Sequence, residues 1–117
     1  MRFTRQQHLR TAQDFASLRS DGNRRECGYF SIIFKSCPER IPPVRRLGVI
    51  ASRRVGNAVA RNRAKRLLRE TFRIHQQMLP SSCDLVLIAR ASILDTGLEV
   101  LGKRFRGAMD SLVKEMA

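Results

Sequence analysis

From Ala58 to Met78 the chain carries a pattern that only a helix laid against another layer can satisfy. At about 100° per residue, Ala60, Ala64, Leu67, Thr71, Ile74 and Met78 fall on one stripe, at spacings of 4, 3, 4, 3 and 4. Gly56-Asn57 before it offers a tight turn and an N-cap, and Leu79-Pro80-Ser81-Ser82 ends it, because proline cannot continue a helix. Small residues on the stripe (Ala60, Ala64, Thr71) fit close packing on a sheet, whereas a helix lying on lipid would present bulkier ones. Arg61, Lys65, Arg66, Arg69 and Arg73 cover most of the remaining circumference, with Arg63 at its far edge and Glu70 as the only acid.

That basic side opposes helix formation, since each like-charged i,i+4 pair costs about a few tenths of a kcal/mol. An ordinary solvated face would intersperse acids to form i,i+4 pairs. Between Arg53 and Arg73 there are eight basic residues and one acid, an imbalance that counterion release from a polyanion accounts for. The whole chain agrees: 23 Lys and Arg against 10 Asp and Glu give a net charge of +13 in 117 residues, far more than solubility needs. Arginine dominates, and its guanidinium fork suits bidentate phosphate contacts and stacking on bases. Asn62, between two arginines, adds a donor and an acceptor that can read a base edge or a sugar hydroxyl. These features point to RNA.

At this length and 43% hydrophobic content the chain can bury one modest core, so a single domain over residues 1–117 is expected. Residues 1–10, with Arg2, Arg5 and Arg10 and no clear period, read as a loosely held basic arm. Thr11-Ala12-Gln13-Asp14 matches a capping box, and Phe15 and Leu18 can share one face of the short helix behind it, which Asp21-Gly22-Asn23 stops. Tyr29 to Lys35 is aromatic and β-branched, hence a strand. Alternation puts Phe30, Ile32 and Phe34 on a core face and Tyr29, Ser31, Ile33 and Lys35 on the other, which is too apolar to be idle. Arg46 to Ser52 reads as a second strand, expected antiparallel to the first. Asp84 to Arg90, nearly all apolar in its middle, reads as a central strand covered on both sides. Thr96-Gly97-Leu98-Glu99 is another capping box, and Leu98, Leu101, Phe105, Leu112 and Met116 recur at helical spacing. The order is α-β-β-α-β-α, an α+β fold with a small mixed sheet packed with helices.

The chain offers no chemistry of its own. Its ten acids, from Asp14 to Glu115, are scattered singly, while a metal-dependent nuclease needs carboxylates converging on a cation. Cys27, Cys37 and Cys83 are an odd number without CxxC spacing, so neither a zinc site nor a disulfide framework is expected. His75 lies on or beside the apolar stripe and reads as a packed side chain, and His8 sits in the arm. No run is long enough to span a bilayer and no signal peptide is evident, so a cytoplasmic protein is expected.

The stretch Arg53-Arg54-Val55-Gly56-Asn57-Ala58-Val59-Ala60-Arg61-Asn62-Arg63-Ala64-Lys65-Arg66-Leu67-Leu68-Arg69-Glu70 closely resembles the signature segment of the bacterial ribonuclease P protein component. Asp14-Phe15, Gly28-Tyr29-Phe30, Leu47-Gly48-Val49 and Asp84 to Arg90 extend the resemblance over residues 10 to 90. It implies an accessory subunit of a ribonucleoprotein endoribonuclease that removes the 5′ leader of precursor tRNA. Its Mg²⁺ would be held by the catalytic RNA, with no cofactor on the protein, no membrane and one protein per RNA. It also implies a left-handed β-α-β crossover through the basic helix, where general rules favour a right-handed one. By the same resemblance Arg53, Arg54, Asn57, Arg61, Asn62, Arg63, Lys65 and Arg66 bind the RNA subunit. Phe15, Tyr29, Ser31, Ile33, Lys35 and Arg69 line the leader site, where aromatic rings stack on bases without demanding a sequence. Arg19 and Ile33 stand where relatives tend to carry aromatics, which implies weaker stacking. The runner-up reading, which composition alone does not exclude, is a ribosomal or other general RNA-binding protein.

Overall fold

A computed structural model describes residues 8, 9 and 12–116. The elements are α1 (Ala12–Asp21), β1 (Asn23–Glu26), β2 (Phe30–Ser36), β3 (Arg45–Ile50), α2 (Ala58–His75), β4 (Cys83–Ala89) and α3 (Leu98–Met116). Short 3-10 segments, Gln76–Met78 and Ala91–Asp95, follow α2 and β4.

The four strands form one mixed sheet in the order β1-β2-β4-β3. The apolar strand is central, as its sequence requires: six of the seven β4 residues are buried. β4 pairs antiparallel with β2, from Phe30 opposite Ala89 to Ser36 opposite Cys83. With β3 it pairs in parallel, from Arg45 opposite Cys83 to Ile50 opposite Ile88. β3 therefore runs antiparallel to β2 in direction, as expected, but the two are not neighbours. Their connection passes the start of β4, where Cys37 N–H donates to Ser82 O at 3.0 Å and Cys83 N–H to Val44 O at 3.2 Å. β4, apolar on both faces, is thereby paired on both edges. β1 was not expected, because Asn23-Arg24-Arg25-Glu26 has no hydrophobic alternation. It forms by pairing with β2 alone, and Arg25 ties it to Glu115 and Ser111 of α3.

Strand alternation sorts two cores onto opposite faces of the sheet. Phe30, Ile32, Phe34, Leu47, Leu85 and Leu87 meet α2 and α3 on one face. On the other, Ile33 and Val86 meet Leu9 and Leu18, with Phe15 packed at the margin. The phase of α2 differs from the expected stripe. Ala64, Leu68, Thr71 and Phe72 are buried, whereas Ile74 and Met78 are 48% and 38% exposed. Ala64 and Thr71 belong to both stripes, so a small rotation suffices, and turning Leu68 and Phe72 inward in place of Ile74 and Met78 removes a large aromatic from water. His75 packs against α3 at Gly102, its ring 6.3 Å from that of Phe105.

α3 buries Leu101, Phe105, Met109 and Leu112; Leu98, expected on the same face, is 38% exposed, and the side chain of Met116 lies outside the described residues. Thr11 of the expected capping box lies outside them too. The segment read as a basic arm ends in contact with the sheet: His8 bridges Leu47 in parallel, Leu9 N–H donates to Leu47 O at 3.0 Å, and Leu9 is buried. The rest of the arm lies outside the described residues. Among those described, no helix is long and apolar enough to cross a membrane.

Candidate nucleic-acid interface

The turn between β3 and α2 is folded by its own backbone. Val55 N–H donates to Ser52 O at 3.0 Å and Gly56 N–H to Arg53 O at 3.2 Å, and buried Val55 anchors the turn in the core. Arg53 and Arg54 are left exposed at its tip. Asn57 is the N-cap of α2, its Oδ1 accepting from Ala60 N–H at 3.0 Å, so its oxygen is committed to the helix and its amide hydrogens remain for a ligand. Beyond the cap, Asn62, Arg63 and Arg66 are exposed, and Arg61 and Lys65 half-buried. The eight residues expected to bind the RNA subunit thus lie on one turn and one helix.

The single acid of α2 does not neutralise them. Glu70 is held by Arg73, Nε to Oε2 at 3.0 Å, and that hydrogen bond, followed by the charge of Arg73, draws the Glu70 carboxyl below its ordinary pKa. Among the described residues, Arg53, Arg54, Arg61, Arg63, Lys65, Arg66 and Arg69 make no ion pair. Phosphates are the complement of such a surface.

The second expected surface is divided. α1 covers one end of the sheet face opposite α2, and among the described residues the other end is open. Ile33 lies under α1 and is buried at 5% exposure, so it is a core side chain and not a free floor. Lys35 reaches back to α1, donating to Ser17 Oγ at 3.4 Å and pairing with Asp21 at 3.3 Å. Phe15, half-buried, lies over Gly48, and Arg19 is exposed.

Tyr29 does not share this face, against the alternation expected of it. Strand geometry begins at Phe30, and Gly28, at φ 85°, breaks the period before it, since that conformation is open chiefly to glycine. Tyr29 packs against the larger core, with the Arg104 guanidinium of α3 5.8 Å from its ring centroid. Arg69 is exposed on α2, which packs on the other face of the sheet. Of the six residues expected at the leader site, Phe15, Ser31 and Lys35 are gathered on the α1 face with solvent or a polar partner at hand.

The open end of that face is a groove of about 610 Å³, lined by Arg24, Ser31, Arg54, Ile88 and Arg90 among others. At its edge Glu26 accepts from Ser31 Oγ at 2.5 Å and from Arg24 Nε at 3.0 Å and pairs with Arg90. The hydrogen bond from Ser31, then that from Arg90, holds the Glu26 carboxyl down at about 2. Sequence reasoning missed Arg24 and Glu26 because it missed β1, and passed over Arg90 as the end of a strand. Arg54 borders this groove and also stands beside α2, so the two basic surfaces adjoin.

Among the described residues no three His, Cys, Asp or Glu side chains come together to hold a metal. Burial pushes the Cys27 and Cys83 thiols up to about 11 and about 12, away from the thiolate a nucleophile or ligand needs. Asp84, the most buried acid, is fully engaged by Arg40 and Arg46.

A basic helix packed on a small mixed sheet, with its charge unneutralised, defines an RNA-binding protein. Residues 3–113 match the model of the Ribonuclease P family, and the chain belongs to that family. It is 37% identical to the ribonuclease P protein component of Oleidesulfovibrio alaskensis, over 95% of this chain and 93% of that one. Against the same component of Thermotoga petrophila it is 34% identical, covering 78% and 75%. Among solved structures, the Staphylococcus aureus RNase P protein superposes with a TM-score of 0.75 at 25% identity, over 92% of this chain and 95% of that one. The Thermotoga maritima RNase P protein gives 0.73 at 25% identity, over 87% and 94%. The chain is thus the protein component of a ribonuclease P ribonucleoprotein, with a role in tRNA 5′ maturation and an RNA subunit as its partner.

Proposed function

We propose that the protein docks on the catalytic RNA through α2 and the turn before it, with Arg53, Arg54, Asn57, Arg61, Asn62, Arg63, Lys65 and Arg66 as contacts. The face under α1, with Phe15, Ser31 and Lys35, receives the single-stranded 5′ leader of precursor tRNA. One observation carries the reading: the lone acid of α2 is taken by Arg73, which leaves seven neighbouring cations for phosphates. The half-buried Phe15 ring and, on the same sheet face, a groove rimmed by arginines support the leader site, since stacking and backbone charge together hold single strands without base preference.

In this reading the protein binds and positions, any Mg²⁺ of the reaction sits with the RNA, and one protein serves one RNA in the bacterial cytosol. Reconstitution tests it. Purified protein, precursor tRNA and Mg²⁺ are combined with and without a bacterial ribonuclease P RNA, at low salt. Cleavage should require the RNA and be enhanced by the protein. Cleavage by the protein alone would make it a nuclease, and no enhancement would make it a general RNA binder.

A further inference from the structure

We infer that Gly48 is a positioning residue for Phe15: the missing side chain on β3 lets the aromatic ring lie down on the sheet and so sets where the leader can stack. The inference rests on the leader reading above.

Gly48 lies in the middle of β3, opposite Val86 of β4, on the face that α1 covers. A Cβ at Gly48 would stand 2.7 and 2.8 Å from Cε1 and Cζ of Phe15, and 3.4 Å from Leu9 Cδ1. The first two separations are too short for carbon atoms, so one partner would have to move. Backbone freedom does not explain the glycine, because only Gly28 and Gly56 have positive φ. A glycine inside a strand weakens it unless something approaches closely, and here that something is the ring edge.

The atoms in the way decide what an added methyl would do. They are the outer end of a side chain that turns about two bonds, not backbone. α1 is held independently by buried Leu18, by the Asp14–Arg46 pair at 3.4 Å and by the Asp21–Lys35 pair at 3.3 Å. The helix would therefore stay and the ring would lift from the sheet. Gly48 thus acts on the leader through Phe15, without touching it.

The test compares Phe15→Ala, Gly48→Ala and the double variant in the complete ribonucleoprotein. The measurement is the ratio of affinities for leader-bearing precursor tRNA and mature tRNA, a ratio that a general loss of stability leaves unchanged. Each single variant should lower it about five-fold or more, the worth of one stacked base, and the double variant should lose no more than Phe15→Ala alone. A full ratio in Gly48→Ala beside a reduced one in Phe15→Ala overturns the role of Gly48 and leaves the leader reading standing. A full ratio in Phe15→Ala overturns the leader reading and the inference with it. Losses that multiply in the double variant also overturn the inference, since Gly48 would then act apart from Phe15. If Gly48→Ala alone does not fold, the double variant must, because the clash is with the ring; a double variant that stays unfolded is contrary evidence.

Discussion

Arg46 lies flat against Asp84, Nε to Oδ1 and Nη2 to Oδ2, both at 2.9 Å, and the same Nη2 faces Asp14 Oδ1 of α1 at 3.4 Å. Arg40 completes the cluster from the β2–β3 connection, at 2.9 Å from Asp84 Oδ2. Burial raises the Asp84 pKa, but the guanidinium hydrogen bonds outweigh it and the net shift is downward. One central-strand carboxylate thus fastens α1, β3 and the connecting loop.

Asp84→Ala should therefore destabilise the protein by about 2–4 kcal/mol, because the partly buried Arg40 loses its carboxylate and Arg46 keeps only the longer contact to Asp14. Denaturant titration of the free protein measures this. A loss below about 0.5 kcal/mol, as at ordinary surface sites, would mean the cluster is ornamental.

The phase of α2 predicts an ordering of core variants. Phe72→Ala should cost about 3–5 kcal/mol, and Ile74→Ala, at a half-exposed position, within about 1 kcal/mol. Equal losses would restore the stripe expected from spacing alone.

His75 gives a pH dependence. Burial first, and then the charge of Arg106, lowers its pKa below the ordinary 6.5. The unfolded chain binds this proton more readily than the folded one, so its contribution to stability is complete above about 6.5 and declines as pH falls toward the folded value. The melting temperature should drop between about pH 7.5 and about pH 5.5, and less so in His75→Gln. An identical drop in both proteins would assign the effect to other groups.

Tyr29 separates stability from leader recognition. Tyr29→Ala removes the packing and the cation–π contact with Arg104, a loss of about 1–2 kcal/mol. It should leave discrimination between precursor and mature tRNA intact. A loss of discrimination as large as that of Phe15→Ala would return Tyr29 to the leader surface.

What the sequence disclosed depended on how local the signal was. The start of α2 at its Asn57 cap and the central strand follow from turn chemistry and a run of apolar residues, both short-range, whereas the α-helix ends at His75, three residues before the expected Met78, where a 3-10 turn takes over. The phase of α2 could not be settled by spacing, because Ala64 and Thr71 fit two stripes, and only the sheet beneath chooses Leu68 and Phe72. β1 was invisible because Asn23–Glu26 is polar on both faces and becomes a strand only through its pairing with β2. The basic surface of α2 was legible because charge imbalance survives any fold. The sheet face under α1 was half legible: alternation placed Ser31 and Lys35 on it, misplaced Tyr29 where Gly28 breaks the strand, and could not know that α1 buries Ile33.

Binding of the ribonuclease P RNA as a function of salt concentration tests the docking surface most directly. Arg63→Ala should weaken binding and reduce the slope of log K against log salt by about one unit. Lys114→Ala, on α3 and ion-paired with Asp110 at 3.2 Å, should leave the slope unchanged. Contradiction would come from an unchanged slope and affinity in Arg63→Ala, since the exposed cations of α2 would then not meet the RNA.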